Sequence, residues 1–187
     1  MYSMYYLVVV VVIIYIFWLL NVNNLSYVKS TIDNKYYLVN NLPNKQKAAD
    51  YLATIVKRMD NLILNLEPSN KYFATLKAKF SSVQIMENPT TLPSKTMTSY
   101  SINKGEKIVF CIRNPTTLEF YDINTVMYVV LHEFSHVACP EIGHTPLFVE
   151  IFASLLKEAI KFGVYDDKNY KASPVEYCGI TINERII

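Results

Sequence analysis

HEFSHVACPEIGHTPLF, running from His132 to Phe148, holds every histidine in the chain. Residues four apart on an α-helix stand one turn above each other, so His132 and His136 can aim their imidazoles at a single point. Such a pair suits a small tetrahedral cation, Zn²⁺ above all, which takes neutral imidazole nitrogen readily. Glu133 follows the first histidine and projects beside that point rather than onto it. A carboxylate so placed can take a proton from an attacking water and pass it to a leaving amine. The flanking residues Val129, Val130, Leu131, Phe134, Val137 and Ala138 are apolar. A buried helix carrying His, Glu and His is costly unless those groups are paired or hold an ion.

Two histidines leave a zinc site unfinished. A catalytic site needs a third protein ligand and an open fourth position, and His144 is the remaining histidine. Between it and His136 lie Pro140 and Gly143, a helix stop and a turn that let the chain fold back over the ion. Thr145 and Pro146 then read as the N-cap and first residue of another helix. Glu150 is the alternative third ligand. It is less suited, because a glutamate ligand in an HExxH site usually comes from a more distant second helix. Cys139 would be the candidate fourth ligand if the site were closed and structural.

Outward from this stretch the chain reads as α+β. Upstream, Lys107 to Arg113 is a strand rich in Ile, Val and Phe, entered through a turn at Asn103 to Gly105 and stopped by Pro115. Were it a sheet edge, an extended peptide could add to it. Downstream, Pro146 to Phe162 carries an apolar stripe at Phe148, Ile151, Phe152, Leu155, Leu156 and Ala159, read as core without chemical role. A long amphipathic helix is predicted between Pro43 and Pro68, and a shorter one over Asn70 to Phe80. Glu87 to Ser94 reads as a loop. Arg113, Tyr170 and Tyr177 can donate to a developing oxyanion, although surface or packing roles are commoner for such residues.

The N-terminus is different in kind. Met1 to Val28 has no charged side chain, and Leu7 to Leu20 is continuously apolar. Extended to Met4 on one side and Val22 on the other, that run approaches the roughly 20 residues needed to cross a bilayer. It lacks the basic start and small cleavage residues of a signal peptide. The expected organisation is a transmembrane anchor over 1–25, a polar tether over 26–42 and a catalytic domain over 43–187. Lys29, Lys35, Lys45 and Lys47 all follow the apolar run, which places the body on the cytoplasmic side of a single-pass membrane protein.

Composition narrows the partners. The 187 residues are half hydrophobic, with 18 Lys and Arg against 16 Asp and Glu. No basic cluster is long enough to track a phosphate backbone, so nucleic acid is not an expected partner. The cysteines Cys111, Cys139 and Cys178 form no CxxC pair. A reduced environment is the simpler reading, with one disulfide and a spare thiol as the other.

HEFSH followed by GHTPLF, with NKGEKIVFCIR ahead of it, resembles the WLM and SprT-like zinc metallopeptidases. The ending YKASPVEYCGITI is similar to forms of that domain encoded by large DNA viruses. The resemblance covers Tyr100 to Ile187 and is strongest from Val126 to Leu156. It implies a zincin-like fold, Zn²⁺ held by His132, His136 and His144, and Glu133 as general base. Nuclear members of the group act on proteins crosslinked to DNA. Their DNA-binding and ubiquitin-related appendages are missing here, so that substrate does not carry over. The expected function is a membrane-anchored zinc metallopeptidase acting on a protein or peptide. The rivals are a non-catalytic anchored protein with structural zinc, and a zinc hydrolase of a non-peptide amide.

Overall fold

The computed structural model describes residues 6, 8–13, 15, 24–89 and 99–187. Their architecture is mixed α/β. Five strands form one sheet in the order β1-β2-β3-β5-β4: β1 is Leu25–Lys29, β2 Tyr36–Asn40, β3 Gln84–Glu87, β4 Tyr100–Ile102 and β5 Lys107–Phe110. β1 pairs antiparallel with β2, β2 and β3 are parallel, β3 and β5 are parallel, and β4 returns antiparallel along β5. Two helices fill the crossover from β2 to β3, α1 at Lys45–Asn65 and α2 at Lys71–Phe80. Two more follow the sheet, α3 at Ile123–Ala138 and α4 at Pro146–Lys161, and a small hairpin of β6, Val175–Tyr177, and β7, Ile180–Ile182, comes last.

The helices lie where the three-four spacing predicts them. In α1, Ala48, Ala49, Leu52, Ala53, Ile55, Met59, Leu62 and Ile63 are buried, and the helix packs on β1, β2 and β3. Asn70 caps α2 by accepting from the N–H groups of Tyr72 and Phe73. Asp122 caps α3 by accepting from Thr125, and its charge complements the positive helix end. α3 is buried nearly all round, packed against α2, α4 and β4, and therefore forms the axis of the core.

Three expectations need correction. The first is the transmembrane anchor over 1–25, and with it the single-pass, cytoplasmic-side placement. Among the described residues no helix is long and apolar enough to cross a membrane. Within that run the described residues 6, 8–13 and 15 are helical. Residues 1–5, 7, 14 and 16–23 of it lie outside the described residues. The second concerns the sheet edge. β5 lies between β3 and β4, so the outer strand at that side is β4. The third concerns the cysteines, for Cys111 and Cys178 form a disulfide and Cys139 alone is free and buried.

Two segments also gain structure. The expected tether over 26–42 carries most of β1 and all of β2, with Tyr37 and Val39 turned into the core by the strand's period of two. The loop predicted over Glu87 to Ser94 begins on the last residue of β3, and 90–94 lie outside the described residues.

One buried ion pair ties the sheet to the segment that leads into α3. Arg113 Nε lies 2.8 Å from Glu87 Oε1, with both side chains at most 3% exposed. The other oxygen, Glu87 Oε2, accepts the Asn40 backbone N–H at 2.7 Å, and the guanidinium stacks over Phe120 at 4.7 Å. Removing one member strands its partner's charge in a dry site. Glu87→Leu and Arg113→Met, made singly, should therefore each destabilise the fold by about 3–5 kcal/mol, whereas the two changes together should cost clearly less than the single losses added. Urea unfolding of the three variants reads this, and simple additivity would show that the charges do not act as a pair.

Candidate metal centre

α3 supplies two of the three histidines. It ends where extended Cys139 precedes Pro140, since the residue before a proline is biased out of the helical region. Gly143, at φ +84°, turns the chain back, and His144 arrives above the helix next to the Thr145 cap of α4. The end of α3 is clamped from the β4–β5 turn and from α2. Lys104 Nζ donates to the Pro140 carbonyl at 2.6 Å and Lys79 Nζ to the Val137 carbonyl at 3.4 Å, both cations at the negative helix end. Gly105 (φ +103°) presses so close that a Cβ there would lie 2.7 Å from Val137 Cγ2. The β4–β5 turn thus has room for glycine only.

The result is convergence. The Nε2 atoms of His132 and His136 are 3.2 Å apart, those of His136 and His144 3.2 Å, and those of His144 and His132 3.0 Å. No set of tautomers turns all three edges into hydrogen bonds, because each edge needs both a donor and an acceptor. A tetrahedral zinc with nitrogens at about 2.0–2.1 Å would hold them about 3.3–3.4 Å apart. The donor set therefore fits such an ion, and the trio can hold a metal.

The surroundings keep the two donors on α3 neutral. Burial first, then the charges of His136 and His144, lower the His132 pKa to about 3; burial and His144 lower that of His136 to about 4. A ligand nitrogen must be unprotonated to bind metal, so these shifts favour uptake. Glu133, 7% exposed, has its pKa raised to about 7 by burial. It shares with all three histidines a cavity of about 390 Å³, also bordered by Tyr100, Ser101 and Lys104.

The other candidates sit elsewhere. Glu150 is exposed and lines a small separate cavity with Asn70, Tyr72 and Phe73. Cys139 is buried at the helix end and, among the described residues, is not in the group of convergent ligand atoms. Arg113 is committed to Glu87. Tyr170 is buried against Tyr128, and Tyr177 is buried with its hydroxyl 2.8 Å from Ser99 Oγ.

Phe148 has a role that periodicity alone did not suggest. Its ring stacks on His136 at 4.1 Å between centroids and touches His132 and His144 at 4.9 Å each, while itself 2% exposed. The signal in the sequence is the interval from His144 to Phe148, one helical turn, which the Thr145 cap converts into contact by accepting the Phe148 N–H.

No family model matches the chain. It is similar to the uncharacterized protein R325 of Acanthamoeba polyphaga mimivirus, with 42% identity over 166 residues, 87% of this chain and 84% of that protein. Over shorter stretches it is similar to the uncharacterized proteins 042R of Invertebrate iridescent virus 3 (45% over 83 residues, 44% of this chain and 50% of that one) and 136R of Invertebrate iridescent virus 6 (42% over 79 residues, 38% and 44%). Among solved structures it is similar to Wss1 from Saccharomyces cerevisiae, at TM-score 0.47 and 21% identity over 66% of this chain and 87% of that one. A Wss1 mutant from S. pombe gives TM-score 0.44 and 21% identity over 64% and 91%. The chain belongs to the family of the mimivirus protein R325.

Phe148→Leu keeps an apolar side chain but loses the ring against the imidazoles. Zinc affinity, read by competition with a chromophoric chelator, should fall about 10-fold or more, within the 10–100-fold range typical of residues that orient metal ligands. Unchanged affinity in a folded variant would remove Phe148 from the site.

Proposed function

We propose that this member of the R325 family is a zinc-dependent peptidase, with the ion held by His132, His136 and His144 and with Glu133 as general base. The observation that carries the reading is the convergence of three imidazole nitrogens beside a buried carboxylate, all opening on one cavity. When bound there, zinc supplies Lewis acidity, which polarises a carbonyl and acidifies a water. Among the described residues the convergent group consists of three histidines and no thiolate, which leaves a fourth position for substrate or water.

This chain's own residues supply the rest. β4 is the outer strand of the sheet, and Tyr100 and Ser101 border the same cavity as Glu133. A peptide adding to β4 as a further strand would have its backbone held beside the histidines. Glu133, kept basic by burial, accepts the proton of the attacking water and delivers it to the departing amide nitrogen. Phe148 holds the imidazoles in register and helps keep that side of the site dry.

Glu133→Gln should bind zinc as the parent does and cleave casein about 10²–10⁴-fold more slowly, the usual yield of a general base. His136→Ala should lose the metal. Metal analysis beside a proteolysis assay distinguishes them, and full activity in zinc-loaded Glu133→Gln would refute the assignment.

A further inference from the structure

Two hydroxyls meet at the wall of the metal centre. Tyr177 is 0% exposed, and its hydroxyl stands 2.8 Å from Ser99 Oγ, its hydrogen-bond partner among the described residues. A buried phenol O–H that did not donate there would be left unpaired in the core, a cost that buried donors avoid. Tyr177 therefore donates and Ser99 accepts. The Cys111 backbone N–H donates to the same Ser99 oxygen at 3.1 Å. A hydroxyl oxygen has two lone pairs, and these two donors fill both.

The consequence is an aimed donor. Ser99 keeps one hydrogen of its own, which no group among the described residues accepts. Ser99 borders the cavity that Glu133 and the three histidines share, so the direction left to that hydrogen is the cavity. Its two partners are fixed relative to each other, because Tyr177 precedes Cys178 and Cys178 is joined to Cys111 by the disulfide. Ser101, two residues further on and so on the same face of the strand, borders the cavity as well. Its Oγ is buried and, among the described residues, makes no hydrogen bond. Both hydroxyls call for an oxygen acceptor on a bound molecule. The cations in this part of the fold are already engaged, Lys104 on the Pro140 carbonyl and Arg113 on Glu87.

We propose that the Ser99 hydroxyl donates to the oxygen of the scissile carbonyl as negative charge develops on it, and that Tyr177 is the positioning residue that aims this donor. The inference rests on the peptidase reading and adds to its carboxylate base a donor for the transition state. A donor oriented before the substrate arrives needs no reorganisation during the reaction, which is what makes oxyanion sites effective.

The test uses the full, zinc-loaded chain, with metal content measured in every variant. Ser99→Ala should lower kcat on a quenched fluorogenic peptide about 100-fold with KM little changed, as expected for a contact made in the transition state. Tyr177→Phe should lower kcat about 10-fold in the parent and hardly at all in Ser99→Ala, because it acts through Ser99. A phosphinic peptide, whose tetrahedral oxygens resemble the developing charge, should bind Ser99→Ala at least about 10-fold more weakly than the parent by calorimetry. A thiol-bearing peptide of the same sequence should bind both alike. Undiminished kcat in Ser99→Ala, losses that simply add in the double variant, or unchanged phosphinate affinity overturns the donor while leaving the peptidase reading standing. A phosphinate-specific loss of affinity in a chain that cleaves no peptide keeps the donor and removes the peptidase.

Discussion

Three imidazole nitrogens held 3.0–3.2 Å apart cannot all satisfy one another. Their lone pairs are brought together only because the rest of the molecule leaves them no alternative, and a cation is what such a cluster is complementary to. A proton on His132 or His136 is disfavoured by burial and by the neighbouring imidazoles, as their lowered pKa values record. The crowding thus disfavours a proton at His132 and His136 and leaves the trio able to hold a metal.

The fold supplies the restraint from several directions. α3 is buried nearly all round, so it cannot rotate its histidines toward solvent without exposing Val130, Leu131, Phe134 and Val137. Each such side chain contributes about 1.5–3 kcal/mol by burial. The β4–β5 turn presses on the end of the helix through Gly105, Lys79 holds the Val137 carbonyl and Lys104 the Pro140 carbonyl just past the helix. Phe148 stands against the trio from α4. The Glu87–Arg113 pair anchors the segment that enters α3. Few of these restraints are local in sequence, which explains why a motif of five residues needs a domain around it.

The helices and the histidines were legible because their signals are local. The interval of four in HEFSH carries a face of α3, and Pro140 with Gly143 carries the return to His144. The sheet was less legible. β1, β2 and β3 are four or five residues long, too short for a period of two to outweigh the asparagines around them, and β2 pairs with β3 only across two helices. Edge or interior position is a property of that pairing, so Lys107 to Phe110 looked the same in either place. The disulfide joins residues 67 apart, a pairing that cysteine spacing does not reveal. At the N-terminus the apolar run satisfied a length rule that the described helix does not meet. Phe148 was legible as core and is core; what sequence could not say is that its neighbours in that core are the three imidazoles.

In the proposed reaction Glu133 would stand under two opposed influences. Burial alone raises its pKa to about 7, since the charged form loses hydration. A divalent cation at the neighbouring histidines would act the other way, stabilising the carboxylate and lowering that value. Without the cation, much of the carboxyl would be protonated near neutrality. A base serves best when its pKa lies near the working pH, and the two effects together tend toward that condition. The apolar setting of α3 therefore packs the core and, by the same exclusion of water, tunes the carboxylate that opens on the cavity.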